Sequence, residues 1–471
     1  MIVFSVADSS GCSDDITIHT NPSTQYTIFQ PRSLHNSNTP MSLPYHTLLN
    51  HYQNLTSHIV PGPNSSTYFL PFLFLPLALL IPPHILTHTQ LHLTILPLIY
   101  DCQIHAWSVG GIDVISINLT LWSFILLVLR DPRRTHLRVG VASKGVVEEP
   151  YPMEMRRRVA WVLTLLVSLR LTGWRIGEAA HDKTQPPRGM RRMEFLKIAV
   201  GTIACSYFIL DATSCYVRSD PYFFKSGMSV DAAYPAPNAD MPIALVLLRL
   251  LPPRLLRASI LAGQIFAMVT SMFYLPALPA VGLNALGLLP DEWSPHTWPV
   301  FFGEFSAVGD RGLRGLWGSW WHGMNRQVTA TPGRALAQAL HIPTNSVAAY
   351  ALLATSAFFF SGVIHMGMIP PEPESTVLSA NEMRLCIAGF FWAQIPAFGV
   401  ELVVSRAIAR FAPQLPQWRV AKMAVLAWTA GWLCLTLPIL TDPFREIGYW
   451  TYHAVPISLL QGLAGNGWIL W

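Results

Sequence analysis

From about residue 66 onward the chain alternates between long apolar runs and short polar connectors. By length and hydropathy the runs predict membrane spans at 68–83, 85–100, 112–129, 196–217, 258–281, 346–369, 384–405 and 421–440. The first two are short and contain proline, so one kinked hairpin fits them as well. Two further apolar stretches, 159–171 and 241–251, are too short to cross a bilayer and suit interfacial or re-entrant helices. The pattern predicts an all-α integral membrane protein, a polytopic bundle of about eight helices.

Residues 1–65 break the pattern. They are polar, rich in Ser, Thr, Asn and His, and lack the basic and apolar regions of a signal peptide, so disorder is expected there. Met41 is an alternative start, and Asn54 and Asn64 head glycosylation sequons. Residues 66–455 read as one membrane-embedded domain and 456–471 as a C-terminal tail.

Composition agrees with the pattern. Of 471 residues, 51% are hydrophobic and only 12% charged, with mean hydropathy +0.36; soluble domains carry about 25% charged residues. The net charge of +5 is modest, and its basic residues cluster in loops, which fits membrane topology and not nucleic-acid binding. Loops 130–158, 170–195 and 406–422 are arginine-rich and are expected to face the cytosol. Loop 370–383 carries Glu372, Glu374 and Glu382 instead. With eight spans, both termini fall in the lumen and the loop around residue 320 falls on the cytosolic side. The six cysteines form no CxxC pair, and HExxH, P-loop and GxGxxG motifs are missing, so no metal is called for.

Two segments stand out chemically. Leu313 to Arg326 holds Trp317, Trp320, Trp321 and His322 between Arg314 and Arg326. Some forty residues later the apolar run at 346–369 carries His365, preceded by the small residues Ser361 and Gly362. An imidazole inside hydrocarbon is costly unless it faces a cavity or a partner. At His365 it would serve as a base toward a substrate hydroxyl, a role worth about 10²–10⁴ in rate. A histidine that only hydrogen-bonds between helices is the competing reading. The arginines suit the phosphates of a nucleotide-bearing donor or are ordinary loop charges, and the tryptophans suit an interfacial anchor. His365 also falls near the lumenal end of its span, so a tunnel or a tilted helix is needed for it to meet a cytosolic donor.

These residues resemble the wax-synthase-like branch of the membrane-bound O-acyltransferase superfamily. Leu313 to His322 is similar to that branch's Leu-Arg-x-Phe-Trp-x-x-x-Trp-His signature, and Ser361 to His365 to its Ser-Gly-x-x-His segment. Trp298-Pro299 with Phe301 to Gly303, Arg170 to Trp174, and Phe390 to Glu401 extend the likeness over about residues 65–450. Leu316 replaces the usual Phe, Gly323 a common Gln and Met366 a common Glu. The resemblance implies a helical bundle around a tunnel in the endoplasmic reticulum membrane. It implies acyl transfer from acyl-CoA to an alcohol, with no permanently bound cofactor. His365 is then the base, His322 the second catalytic residue, and Arg314, Arg326 and Trp321 the donor-binding residues. The Arg170 to Trp174 segment and the length look like fungal members that acetylate terpenoids and meroterpenoids. A long-chain wax-ester or sterol acyltransferase is the alternative. A transporter is the rival from another class, although no internal repeat between the halves supports it.

Overall fold

The computed structural model describes residues 65–142, 145–168, 170–176, 190–236, 243–298, 301–373, 377–415, 418–463, 465, 467 and 468. The expectations for the polar N-terminal region, Met41, Asn54 and Asn64 lie outside these residues.

Helices dominate. Helix α1 (Ser65–Leu80) ends before Pro82-Pro83, where two prolines remove consecutive backbone donors. Helix α2 (His88–Gly110) restarts at a capping box: the Thr87 hydroxyl accepts from Gln90 N, and the Gln90 side chain accepts from Thr87 N. The apolar stretches near 68–83 and 85–100 are therefore two helices packed as a hairpin. Helix α3 (Val114–Phe124) is capped by Asp113, which accepts from Ile115 N and Ser116 N at 2.8 and 3.0 Å. It runs into a π-helical turn, Ile125–Leu129.

The arginine-rich segment that follows is not wholly irregular. Strands β1 (His136–Ala142), β2 (Gly145–Glu149) and β3 (Trp174–Ile176) form an antiparallel sheet in the order β2-β1-β3. Arg138 pairs with Glu149 across the strands, and Arg175 reaches Glu148 at 2.7 Å. Helix α4 (Met155–Val167) lies between β2 and β3.

Five helices among the described residues are long and apolar enough to cross a membrane: α5 (Arg192–Ser219), α6 (Pro253–Ala285), and, further along, Val347–Met366, Ala380–Phe411 and Arg419–Glu446. Between them stand the short α7 (Ser306–Arg311) and the 14-residue α8 (Arg326–Ala339); the last three spans are α9, α10 and α11. α1 and the 114–129 helix are shorter apolar helices, so five long helices stand where the pattern predicted about eight spans. Prolines lie inside α1 and α2, at 71, 76 and 97, and also inside α6, α10 and α11. Of the two short apolar stretches, 159–171 falls largely in α4, and 241–251 contains the six-residue helix Ile243–Leu248.

The surface is apolar and the interior holds charge, which is the arrangement a bilayer selects. Phe208, Met272, Val403, Val420 and Leu435 point outward, while Asp211, Asp220, Arg257, Gln394 and Glu401 are buried. Arg257 of α6 is fully enclosed. It donates Nε and Nη2 to Asp220 at 2.8 and 2.9 Å and Nη1 to the carbonyls of Val230 and Ala232. The Tyr222 ring lies 4.9 Å from both the Arg257 and Arg445 guanidiniums. Asp211 accepts from Ser458 Oγ and Leu460 N, which docks the C-terminal segment onto α5. Helix α9 joins two core clusters. Phe358 belongs to the cluster that holds Leu313, Leu316 and Phe390, whereas Ile364 belongs to the one that holds Leu91, Trp122, Trp161 and Val328.

Candidate active site

His365 is the penultimate residue of α9, and three close approaches fix its place. A side chain on Gly362 would meet Trp392 Nε1 at 2.7 Å and the Ala388 backbone at 3.2 Å, so α9 and α10 touch there. One on Gly367 would meet the Asp113 backbone at 2.4 Å, which pins the end of α9 to the start of α3. The His365 ring lies 4.3 Å from the Phe391 ring. Its Nδ1 is 2.6 Å from the Ser361 carbonyl. A carbonyl only accepts, so Nδ1 carries a proton, and in the neutral ring the lone pair then sits on Nε2.

His365 lies deeper than its place at the end of α9 suggests. Phe391 is the twelfth residue of α10, about 16 Å along its axis from Ala380. His365 is therefore level with the interior of the longer helix, although it stands near the end of its own. The tryptophan segment descends toward it. Trp317 Nε1 donates to Gln394 Oε1 at 3.3 Å, and Trp432 Nε1 donates to the same oxygen at 3.2 Å. Gln394 is fully buried in the middle of α10. Trp317 also packs edge-on against Phe358 and Phe390.

This descent needs unusual backbone. After α7 the chain turns at Gly312, whose φ is +62°, a conformation that glycine adopts without a Cβ penalty. One helical turn (Leu313–Gly315) passes into a π-helical turn (Leu316–Trp320), closed by Trp321 N donating to Leu316 O at 2.6 Å. Such turns recur at functional sites. Glu401 of α10 organises the start of the segment. Its carboxylate accepts from Leu313 N at 2.7 Å, Arg314 N at 3.1 Å and Trp428 Nε1 at 2.9 Å, and its Oε2 lies 3.4 Å from Arg314 Nε. At the far side Gly303 N donates to Trp320 O, and a Cβ on Gly303 would collide with Ser319 O.

His322 follows the π turn. Its ring stacks on Phe301 with centroids 5.5 Å apart and planes within 9°, and Phe301 stacks in turn on Phe273 of α6. The Trp321 ring touches His322, Phe302, Trp317 and Trp320. His322 Nδ1 is buried without a hydrogen-bond partner among the described residues. Burial above all, with the charge of Arg170 adding to it, pushes its pKa down to about 4, so it is a neutral ring at ordinary pH. Ring contacts running from Trp321 through Trp317, Phe390 and Phe391 link His322 to His365.

The structure thus sets His322 against Trp321 and connects that pair to His365 through intervening aromatic rings. Arg314 turns to Glu401, while Arg326 Nη2 donates to Gly318 O at 2.8 Å. Sequence reasoning gave Glu401 no role beyond ending the Phe390 to Glu401 likeness. A carboxylate amid apolar residues was the available signal, but its partners lie 87 and 88 positions away in the chain.

Residues 298–380, the stretch that holds both histidines, match the membrane bound O-acyl transferase family. The chain resembles these enzymes. It is 25% identical over 254 residues to acetyltransferase ple2 of Rhodocybe pseudopiperita, covering 54% of this chain and 58% of that protein. It is 22% identical over 346 residues to acetyltransferase sirH of Emericella nidulans, covering 72% and 73%. It is 26% identical over 185 residues to acetyltransferase nanB of Aspergillus nanangensis, covering 39% and 41%. The matched regions thus span from about two fifths to nearly three quarters of these relatives. No solved structure matches.

Proposed function

We propose that this chain is a multi-pass membrane O-acyltransferase of the endoplasmic reticulum. It moves an acetyl or other short acyl group from acyl-CoA to a hydroxyl of a lipophilic terpenoid or meroterpenoid. The observation that carries the reading is the His365 tautomer. With Nδ1–H held by Ser361 O, Nε2 is free to take the acceptor's hydroxyl proton. The acceptor oxygen then attacks the thioester carbon. A tetrahedral oxyanion forms and collapses, and the thiolate of coenzyme A leaves with the proton from Nε2. The neutral His322 ring, which has a buried nitrogen without a partner, supplies a hydrogen bond to the oxyanion. The acceptor arrives through the bilayer, in keeping with the apolar surroundings of His365. The three acetyltransferases support a short acyl donor by similarity.

The test uses microsomes from a heterologous host, acetyl-CoA, and a panel of terpenoids, sterols and fatty alcohols, with ester formation followed by mass spectrometry. An acetylated terpenoid is expected, and His365→Ala should lower its formation by about 10²–10⁴ with unchanged protein in the membrane. Substantial turnover in the variant would make His365 structural. Esters formed only from long-chain donors would move the reading to wax-ester synthesis. No ester from any donor would favour a transporter.

A further inference from the structure

Arg314 is engaged by Glu401, yet other guanidiniums gather beside His322. The Nε of Arg326 and the Nη2 of Arg170 each lie 3.5 Å from the point where a side chain on Gly323 would begin. The bare glycine leaves the gap between them open. Eight residues beyond Arg326 on α8, about 12 Å along the axis, stands the half-buried Arg334. Its only hydrogen bond among the described residues is a long one, 3.5 Å, to Gln327 Oε1. α8 packs against the π turn Ile125–Leu129, and the half-buried Arg130 follows that turn directly. Burial, and then the charges of Arg130 and Arg326, push the Arg334 pKa down, which places the three cations within one another's field.

No ion pair of Arg130, Arg326 or Arg334 with a carboxylate occurs among the described residues. The contrast with Arg133 is direct. It belongs to the same arginine-rich segment, but it is clasped by Asp131 at 2.9 Å and by the carbonyls of Ile81 and Leu86. Half-buried like charges without a counter-ion are costly. An anion that bridges them would relieve that cost.

We propose that Arg130, Arg326 and Arg334 form an extended phosphate site that holds the nucleotide end of the acyl donor. This inference rests on the acyltransferase reading. Arg326, beside His322, takes one phosphate group, and Arg334 with Arg130 takes another further out. The separation along α8 suits a ligand with two distinct phosphate positions, as the diphosphate and the 3′-phosphate of a coenzyme A thioester provide. A lipid headgroup shares the phosphate chemistry but presents it at one position.

The experiment uses the full chain purified in micelles free of anionic lipid. Acetyl-CoA is compared with acetyl-pantetheine, which lacks every phosphate, in wild type, Arg130→Gln, Arg334→Gln and the double variant. The preference for acetyl-CoA, as the ratio of kcat/KM values, should fall about tenfold per arginine, chiefly through KM. An unchanged ratio overturns the proposal, because it makes the arginines structural. A defect that appears only after phosphatidylserine is added also overturns it, in favour of a headgroup site. Equilibrium binding of adenosine 3′,5′-bisphosphate provides a readout independent of transfer. Weaker binding in the variants supports the site even if no ester forms, whereas equal binding in all four proteins overturns it.

Discussion

Two groups of arginines sit in apolar surroundings here, and they differ in how their charge is answered. Around Arg257 each charged nitrogen has a partner: two carboxylate oxygens of Asp220, two carbonyls, and the flanking tyrosine rings. Around Arg334 the charged neighbours are other cations, and its one hydrogen bond among the described residues is long. Both groups bear a desolvation cost, but only the first offsets it within the protein. The comparison separates scaffold from binding surface. A complete polar network holds the chain together, whereas an incomplete one is finished by something that arrives.

The sharpest way to break the comparison is at its complete end. Asp220→Ala strands a fully buried guanidinium and is expected to cost about 3–5 kcal/mol. The loss should appear as a much lower unfolding temperature in detergent and as little protein in the membrane. Glu401→Gln probes a carboxylate network that adjoins the site. It should cost about 1.5–3 kcal/mol in the transition state, read as a fall in kcat of ten- to a hundredfold, with the donor KM changing far less. A matching rise in KM would place Glu401 with the donor and not with the loop.

Acid should act in a defined direction. His322 has its folded pKa pushed down to about 4 by burial, below the usual 6.5 of the unfolded chain. Between those values the unfolded state binds a proton that the native state refuses. Stability at this residue is therefore present above about pH 6.5 and lost as pH falls toward 4. His136, also pushed down to about 4 by burial, adds to the same trend. The melting temperature should drop over that window, and His322→Asn should flatten part of the drop.

The smallest effect is the most diagnostic. Arg334→Gln should change the stability of the ligand-free protein by less than about 0.5 kcal/mol, or raise it, since a repelled charge is removed. Added coenzyme A should then stabilise wild type in thermal unfolding but the variant much less. A large loss of ligand-free stability would place Arg334 with Arg257, as scaffold.

The sequence made the membrane character and both histidines legible because those signals are local. Apolar run length announces a span, and one imidazole in such a run is conspicuous. What it hid depends on contacts between distant positions. Glu401 meets Leu313 across 88 residues, and Asp220 meets Arg257 across 37. Arg314 and Arg326 flank the same motif at similar distances and read alike, yet only one has a carboxylate waiting for it. The sheet within the arginine-rich loop was also unreadable by composition, since charge there pairs across strands instead of marking an open connector. The helix ends at Thr87, Asp113 and Ser379 did carry capping residues, and these set boundaries that hydropathy alone placed two to four residues away.

The π turn at Leu316–Trp320 has a consequence for how this segment can vary. Its closing bond spans five residues where an α-helix spans four. Removing any one residue between Gly312 and His322 would let the turn relax into ordinary helix and swing everything beyond it by about 100°. His322 would then leave the face of Phe301 with its chemistry intact and its aim lost. Length, more than spelling, is what this stretch has to keep.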